Sequence, residues 1–417
     1  MLRPLLECHE MFSRPDGHGG TLIYCYYDGY TWLAAALLVA WLTWLFVRRY
    51  RRDRAQRRPP RRNDHALLKR IARLKSELSL TFLRPDFSAN IHAVGVGLLA
   101  TGDYCIQVFV GDATRELWTG GGAETLPDDY GGVPLVLVEM APASFLSDAG
   151  LSPSEGWEKY PRGIREYQEV IVGGISGANT NLAGQSGTIG YFCTRRSVLP
   201  RRKVVHLLSN SHVFVDLCKA KVDDTDLIEQ PSPGEHASNR PIGALVNFTA
   251  LSFEGEADKP NRVDAALAKL WEQHRYEPTI PFIGAVKGYV PKQDVEVGEP
   301  ARKFGRTTGY TEGHVFSIYL DIRVRYDRTG QSALFENQLL IEPSRPRFTK
   351  FVDKGDSGSL VVDGEQHAIG LIFAGTPDVP GSQAAPPAPA AAARVEGYGV
   401  ANPISEVLDR LKIELLT

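Results

Sequence analysis

Cysteine is scarce in this chain, which has five cysteines among 417 residues. They are scattered, and no pair has the Cys-x-x-Cys spacing of many zinc and redox sites. This usage indicates a reducing compartment and argues against a disulfide framework. The chain also lacks a His-Glu-x-x-His motif, a P-loop, and a dinucleotide-binding glycine motif followed by an acid. The sequence therefore predicts no metal ion, nucleotide or other cofactor.

Net charge is also small, at −2, but positive charge is concentrated in one place. Residues 48–62 hold nine arginines and one aspartate, a local charge of +8, which leaves −10 for the rest of the chain. An acidic folded part gives no indication of a nucleic-acid partner. The arginine run is interpreted instead as a stop-transfer signal that contacts lipid headgroups.

Long apolar runs are limited to residues 30–47, which carry no charge and several tryptophans. This run predicts a transmembrane helix, with a cleaved signal peptide and a buried core helix as the competing interpretations. A signal peptide has its positive charge before the apolar run, whereas here the arginines follow it. The charge bias predicts a single-pass protein with residues 1–29 outside and the part after Arg48 in the cytoplasm.

The region after the arginines changes its hydrophobic period twice. Residues 48–86 are predicted to form a basic, amphipathic helical linker, whose apolar stripe is a packing surface rather than an oligomerising seam. Residues 87–142 have period two and predict a small α/β module of their own, with strands at 91–99, 104–110 and 133–140. Residues 143–169 are predicted to be a linker. The stripe consists of Leu67, Leu68, Ile71, Leu74 and Leu78.

Residues 170–417 contain many short strand signals separated by turn residues, which predicts a mainly β domain of antiparallel barrels. Residues 376–393 are rich in alanine and proline and are predicted to loop into solvent. Residues 403–416 have an apolar face and are predicted to form a closing helix.

The stretch Phe351-Val-Asp-Lys-Gly-Asp-Ser-Gly-Ser-Leu-Val-Val362 carries the most chemical information. It places Ser357 in a tight turn just before an apolar run. Such a turn can expose a hydroxyl while the backbone N–H groups of Gly355 and Ser357 point at one spot. An acyl-transfer nucleophile and its oxyanion hole need this arrangement.

Two further segments supply the partners of such a nucleophile. His212 follows the apolar strand in Val205-His-Leu-Leu-Ser-Asn-Ser-His-Val-Phe214, and Asp264 begins another apolar run. The chain order is histidine, aspartate, serine. In these motifs residues 170–415 resemble the trypsin-like serine peptidases, above all the bacterial and plant branch with a Leu-Ser-Asn-x-His-Val motif.

The resemblance implies a chymotrypsin-like double β-barrel and a role for each motif residue. Ser357 would be the nucleophile, His212 the general base and acid, and Asp264 the residue that orients His212. Asp223, Asp224 and Asp226 are rivals of Asp264 for that role. By analogy, the substrate pocket would lie near Phe351, Phe373, Ala374 and Gly375, which favours an apolar or small substrate side chain.

The tetrapeptide Ile171-Val-Gly-Gly174 matches the mature N-terminus of animal trypsins. In those enzymes a freed amine pairs with the aspartate before the serine, which is Asp356 here. Val170 precedes the tetrapeptide instead of a basic residue, so we expect an enzyme that is active unprocessed. Asp356 then needs another partner, for which Lys354, Arg306 and a backbone donor are the candidates.

The sequence thus favours a membrane-anchored serine endopeptidase that acts on a protein or peptide substrate. A catalytically inactive scaffold or binding module on the same fold, and an esterase, are the alternatives. The oligomeric state is not readable from the sequence.

Overall fold

The computed structural model describes most of the chain. The chain divides into two compact units. The first unit comprises residues 1–56 with 197–201, and the second comprises residues 57–196 with 202–417. The described residues are 10–15, 21–26, 29–58, 65–84, 87, 90–111, 126–146, 165–182, 184–197, 204–216, 222, 226–233, 235, 240–254, 259–327, 329–376 and 394–417. Residues 377–393 of the predicted loop insert at 376–393, and residues 147–164 of the predicted linker at 143–169, lie outside them.

The N-terminal unit contains a hairpin and one helix. Strands β1 (Glu10–Pro15) and β2 (Thr21–Tyr26) pair antiparallel, and helix α1 spans Gly29–Gln56. Within the described residues, no helix is both long and apolar enough to cross a membrane. Arg48 and Arg49 directly follow Val47 in α1. The predicted transmembrane helix at 30–47 is therefore not supported, and the predicted location of the chain stays a prediction.

The second unit is mainly β, as predicted. Its four-residue helix α3 and its terminal helix α4 flank strands of the 170–417 region. Its elements are α2 (His65–Phe82), β3 (Ile91–Leu98), β4 (Tyr104–Val110), β5 (Asp129–Tyr130), β6 (Val133–Met140), β7 (Ala143–Phe145), β8 (Val170–Ile171), β9 (Ile175–Ser176), β10 (Ala178–Asn179), β11 (Thr188–Ile189), β12 (Tyr191–Arg195), β13 (His206–Ser209), α3 (Ser211–Phe214), β14 (Leu227–Glu229), β15 (Pro241–Phe248), β16 (Ala266–Leu270), β17 (Arg275–Tyr276), β18 (Thr279–Ile280), β19 (Gly284–Ala285), β20 (Gly288–Tyr289), a 3-10 turn (Lys292–Asp294), β21 (Pro300–Gly305), β22 (Gly309–Arg325), β23 (Ser332–Pro343), β24 (Leu360–Val362), β25 (His367–Gly375), β26 (Arg394–Val395), β27 (Gly399–Pro403), α4 (Ile404–Leu411) and β28 (Ile413–Leu415).

Two sheets build the body of this unit. Strands β10, β14, β15, β16, β13, β12 and β28 form one sheet in that order. In the other sheet, β21, β24, β25, β27, β23 and β22 follow one another, and β21 also pairs with β22. That last pairing closes the six strands into a barrel, which leaves no free edge among them. One buried apolar cluster lies under the first sheet and also includes side chains of β21, β24 and β25, and two further clusters pack against the second sheet.

The C-terminal segment joins the two sheets. Helix α4 ends at Leu411, and Lys412 adopts a left-handed conformation with φ +58°. The chain then forms β28, whose Ile413 and Leu415 pair with β12. The prediction of one helix over 403–416 was therefore wrong at its end. The apolar positions in 413–415 alternate, which suits a strand as well as the last turn of a helix.

Strands β3, β4 and β6 are built into the second sheet. Strand β3 pairs antiparallel with β22, and β4 and β6 extend the sheet further. The sequence predicted their strands closely but predicted a module of its own. Backbone pairing to β22 is a long-range contact, which periodicity does not report.

Helix α2 packs on this extended sheet by the predicted apolar stripe, with Leu67 on the exposed side. A buried ion pair adds to the packing, since Lys75 Nζ lies 2.7 Å from Asp321 Oδ2 of β22. The other Asp321 oxygen accepts a 2.9 Å hydrogen bond from the Asn337 N–H. The helix is thus linked by charge to a strand of the closed barrel.

Breaking this ion pair from one side should destabilise the protein. Lys75→Met leaves Asp321 as a buried carboxylate without its cation, so the free energy of unfolding should fall by about 3–5 kcal/mol. Urea denaturation of the full chain, followed by circular dichroism, measures it. Leu67→Ala, on the exposed face of the same helix, should change little, and Lys75→Met with Asp321→Leu should recover part of the loss. A Lys75→Met protein as stable as the wild type would refute the contribution of the Lys75–Asp321 ion pair to the free energy of unfolding.

Candidate functional site

The segment before β24 forms a tight turn around Ser357. Gly355 and Gly358 both have positive φ, +96° and +95°. A Cβ at Gly358 would lie 2.1 Å from the Thr188 carbonyl oxygen, so only glycine fits there. Thr188 of β11 also holds the turn directly. Its N–H donates to the Ser357 carbonyl at 2.8 Å, and its hydroxyl donates to the Gly355 carbonyl at 2.9 Å.

His212 and Asp264, which flank strands β13 and β16 of the first sheet, form a buried pair. His212 lies in α3, directly after β13, and Asp264 lies just before the neighbouring strand β16. The His212 Nδ1 and an Asp264 carboxylate oxygen are hydrogen-bonded. The other carboxylate oxygen accepts the N–H groups of Ser211 at 2.7 Å and His212 at 3.3 Å. Both side chains are fully buried.

Two asparagines hold the backbone of Asp264. The Asp264 N–H donates to the Asn402 side-chain oxygen at 2.9 Å, and the Asn210 amide donates to the Asp264 carbonyl at 2.7 Å. Asn402 belongs to β27, so it ties the aspartate to the second sheet. Sequence reasoning did not find Asn402, because a lone asparagine before a helix gives no signal of a partner 138 residues away.

The Ser357 hydroxyl donates to the Phe373 carbonyl oxygen at 3.1 Å. No hydrogen bond joins Ser357 to His212 among the described residues, and His212 Nε2 is buried with no hydrogen-bond partner among them. Nε2 is the ring nitrogen that does not bind Asp264.

The predicted pocket residues line one side of this turn. Phe373, Ala374 and Gly375 form the end of β25, and Phe351 is fully buried nearby. A short strand lies on that end of β25, because Phe145 and Ser144 of β7 are paired antiparallel with Ala374 and Gly375. The sequence predicted a linker from residue 143, so this strand is a correction.

The residue after β7 reaches the serine turn. The Gly355 N–H, predicted to be an oxyanion donor, donates to the Leu146 carbonyl at 2.6 Å. The corresponding prediction for the Ser357 N–H stays a prediction. Above the turn, the Phe145 ring packs edge-on against the His212 imidazole, with ring centroids 4.9 Å apart. Ser357, His212 and Asp264 are all fully shielded from solvent.

Asp356 has a cation as its partner. The Lys303 ammonium of β21 lies 3.1 Å from its carboxylate, and both side chains are fully buried. The carboxylate also accepts the N–H groups of Thr307 at 2.8 Å, Thr308 at 3.1 Å and Asp353 at 3.0 Å. Burial alone would raise the pKa of Asp356, but Lys303 and these donors hold that pKa below its usual value.

Of the predicted partners of Asp356, only the backbone donors are correct. Lys354 approaches Asp327 at 3.4 Å, and Arg306 binds Glu235. Ile171 is a buried residue within the chain, where β8 pairs with β17. The signal that was missed is Lys303 itself, a charged residue in a strand whose neighbours Ala301 and Phe304 are core residues.

Asp226 is the described rival of Asp264, and it lies elsewhere. Its carboxylate accepts a 2.9 Å hydrogen bond from the Asn179 amide, and the residue is fully buried. Asp223 and Asp224 lie outside the described residues.

Comparisons with known proteins give fold likeness only. No protein-family model matches the chain, and no curated protein matches it. Among solved structures it is similar to Thermobifida fusca protease A, at 16% identity and a TM-score of 0.35 over 60% of this chain and 99% of that one. It is also similar to Nocardiopsis protease, at 17% identity and a TM-score of 0.36 over 59% and 99%. A third is the chymotrypsin of Cellulomonas bogoriensis, at 15% identity and a TM-score of 0.34 over 59% and 98%. Likeness at this level carries no argument about the residues of the site or their activity.

The buried Lys303–Asp356 pair should make stability depend on acid. The folded pKa of Asp356 lies below the unfolded value of about 3.9, so the unfolded chain binds more protons in that range. The stabilisation is therefore present above that value and is lost as pH falls through the folded pKa. Urea unfolding at a series of pH values should show that the free energy of unfolding falls less steeply with decreasing pH in the double variant Lys303→Met, Asp356→Asn than in the wild type. Asp409→Asn, which removes an exposed carboxylate, is the control. Equal acid slopes in the wild type and the double variant would contradict this assignment.

Proposed function

We propose that the second unit is a serine endopeptidase in which Ser357 is the nucleophile, His212 the general base and Asp264 the orienting acid. The observation that carries the proposal is that residues 145 and 146 connect the histidine to the serine turn. The Phe145 ring packs against His212, whose Nδ1 binds Asp264, and the next residue, Leu146, accepts the Gly355 N–H two residues before Ser357. A plain structural turn needs no buried histidine–carboxylate pair beside it.

In the proposed reaction, the Ser357 oxygen attacks the carbonyl carbon of a peptide bond while His212 Nε2 takes the hydroxyl proton. The Gly355 N–H stabilises the negative charge that develops on the carbonyl oxygen. His212 then gives its proton to the leaving amine, which leaves an acyl ester on Ser357. Water, activated by the same imidazole, hydrolyses that ester. Asp264 holds the imidazole in the tautomer that presents Nε2 to the reaction.

The edge of β25 favours peptide substrates over simple esters. It already pairs antiparallel with an extended strand, and the Phe373 carbonyl accepts the N–H of the residue after that strand, at 3.4 Å. Such backbone pairing recognises a peptide of at least several residues, and an ester without amide groups makes none of it. Polypeptide substrates are therefore proposed, and esters are the weaker alternative.

Substitutions at the three residues test the chemistry. Ser357→Ala and His212→Ala should abolish labelling by a fluorophosphonate probe and hydrolysis of peptide substrates. Asp264→Asn should lower the rate by about four orders of magnitude through loss of the productive tautomer. Prolonged incubation with the probe and mass spectrometry of the labelled peptide measure the reaction.

Asp226→Asn is the matched control, since it changes a buried aspartate that binds Asn179 instead of the histidine. Full activity in Asp264→Asn with loss in Asp226→Asn would sink the assignment. A chain that never becomes labelled, either as the wild type or in any folded variant, would indicate the inactive scaffold.

The chain should not need cleavage before Ile171 in order to react with the probe. Asp356 is already neutralised by Lys303, so it needs no amine freed by cleavage before Ile171. N-terminal sequencing and intact-mass measurement of labelled protein should therefore find label on chains that extend before residue 171. Label confined to chains that begin at Ile171 would show that processing is required.

A further inference from the structure

The segment Ala143–Leu146 contacts the proposed catalytic site at the end of β25, at the Gly355 N–H and at the His212 ring. Ser144 and Phe145 pair antiparallel with the end of β25. The Leu146 N–H donates to the Phe373 carbonyl at 3.4 Å, and its carbonyl accepts the Gly355 N–H at 2.6 Å. The Leu146 carbonyl thus occupies the place where a carbonyl under attack would be polarised.

The side chains of the segment fill the surrounding space. Phe145 is fully buried against His212 and within 6.1 Å of the Phe373 ring, measured between centroids. Leu146 is 5% exposed and belongs to the same buried cluster as Phe351 and Val352. A Cβ on Gly375 would lie 3.1 Å from Leu146 Cδ2, so glycine leaves the room that the leucine uses.

We propose that residues 143–146 are an internal peptide bound in the manner of a substrate, with Leu146 at the position whose carbonyl is attacked. This inference rests on the proposed peptidase function. It assigns the chain a self-occupied cleft, in which the enzyme is blocked until the segment leaves. It also assigns the cleft a substrate class, namely peptides with leucine or a similar aliphatic residue at the acyl position and an aromatic residue before it.

Ordinary core packing does not account for the Leu146 contact. A buried strand gains its stability from side chains and from hydrogen bonds to neighbouring strands, and β7 has both through β22 and β25. The Gly355 N–H belongs instead to a loop, which is held at a φ of +96° that only glycine adopts readily. Its bond to a peptide carbonyl beside the Ser357 turn is the contact that a substrate would make.

Burial of the triad residues agrees with blockage. Ser357 and His212 are fully shielded while the segment is in place. Hydrolysis of an acyl ester needs a water molecule beside His212, and an added peptide needs the edge of β25. Both needs require the segment to move away.

Weakening the segment should therefore activate the enzyme. Leu146→Asp places a charge in the apolar space beside Val352, which should release the segment. Hydrolysis of acetyl-Ala-Ser-Phe-Leu-p-nitroanilide by the full chain should then rise about tenfold or more in kcat/KM, the scale set by burial of one leucine side chain. The rate of fluorophosphonate labelling at Ser357 should rise in parallel.

Leu80→Asp is the matched control, because it makes the same change at a residue that is 73% exposed on α2. It should leave both rates unchanged. Thermal unfolding of each variant verifies that it is folded. If Leu146→Asp does not fold, Leu146→Ala removes most of the same side chain without adding a charge, and it should shift both rates in the same direction.

The outcomes separate this inference from the proposed function. Equal labelling and hydrolysis rates in the wild type and the folded Leu146 variants would overturn the inference and leave the peptidase in place. No labelling in any variant would overturn both. For the substrate class, the activated enzyme should hydrolyse the leucine substrate at least about a hundredfold faster than its acetyl-Ala-Ser-Phe-Asp counterpart. Equal rates on the two would refute the leucine pocket.

Discussion

The buried ion pair between Lys303 and Asp356 is the interaction on which the rest of the site depends. Asp356 lies between Gly355 and Ser357 in the chain, so the bonds that hold its carboxylate also hold the turn that carries the amide donor and the nucleophile. A buried carboxylate without a cation would be costly or would take up a proton. Lys303 supplies that cation from β21, and the backbone N–H groups of Thr307 and Thr308 complete the coordination. The turn is therefore fixed from the wall of the closed barrel, independently of the N-terminus of the domain.

Two side chains fix backbone positions at the site. Thr188, in the two-stranded sheet of β9 and β11, binds the carbonyls on both sides of Asp356. Asn402 reaches from the second sheet to the N–H of Asp264. Thr188 thus holds the serine turn, and Asn402 holds the backbone of the aspartate that binds His212. Substitution of either residue would act on the geometry without touching a substrate, which makes both positioning residues.

How much of the structure could be predicted from the sequence depended on how far apart in the sequence the contacting residues are. The strands at 104–110 and 133–140 were predicted at their observed bounds, because period-two patterns are local. The candidate residues Ser357, His212 and Asp264 were found from short motifs, and the pairing of His212 with Asp264 agrees with them. Contacts between distant segments were not predicted: the pairing of β3 with β22, the cation at Lys303 and the strand at 143–145. Each depends on which strands become neighbours, and a single sequence holds no local trace of that choice.

Strands β3, β4 and β6, which extend the second sheet, support the segment in the cleft through the connection of β6 to β7. Only two residues separate the end of β6 at Met140 from the start of β7 at Ala143, so the segment in the cleft is tethered tightly to the extended sheet. A tethered ligand faces its site at an effective concentration in the millimolar range, which a free peptide rarely matches. Added substrates would therefore compete poorly with residues 143–146 as long as β6 stays in place beside β4. A change at β6 is thus the most direct way to release residues 143–146 from the cleft. Strand β6 pairs with β4 on one side and with β26 on the other, and β26 begins directly after the alanine- and proline-rich segment. The extension thus acts as the support that keeps the internal peptide in position.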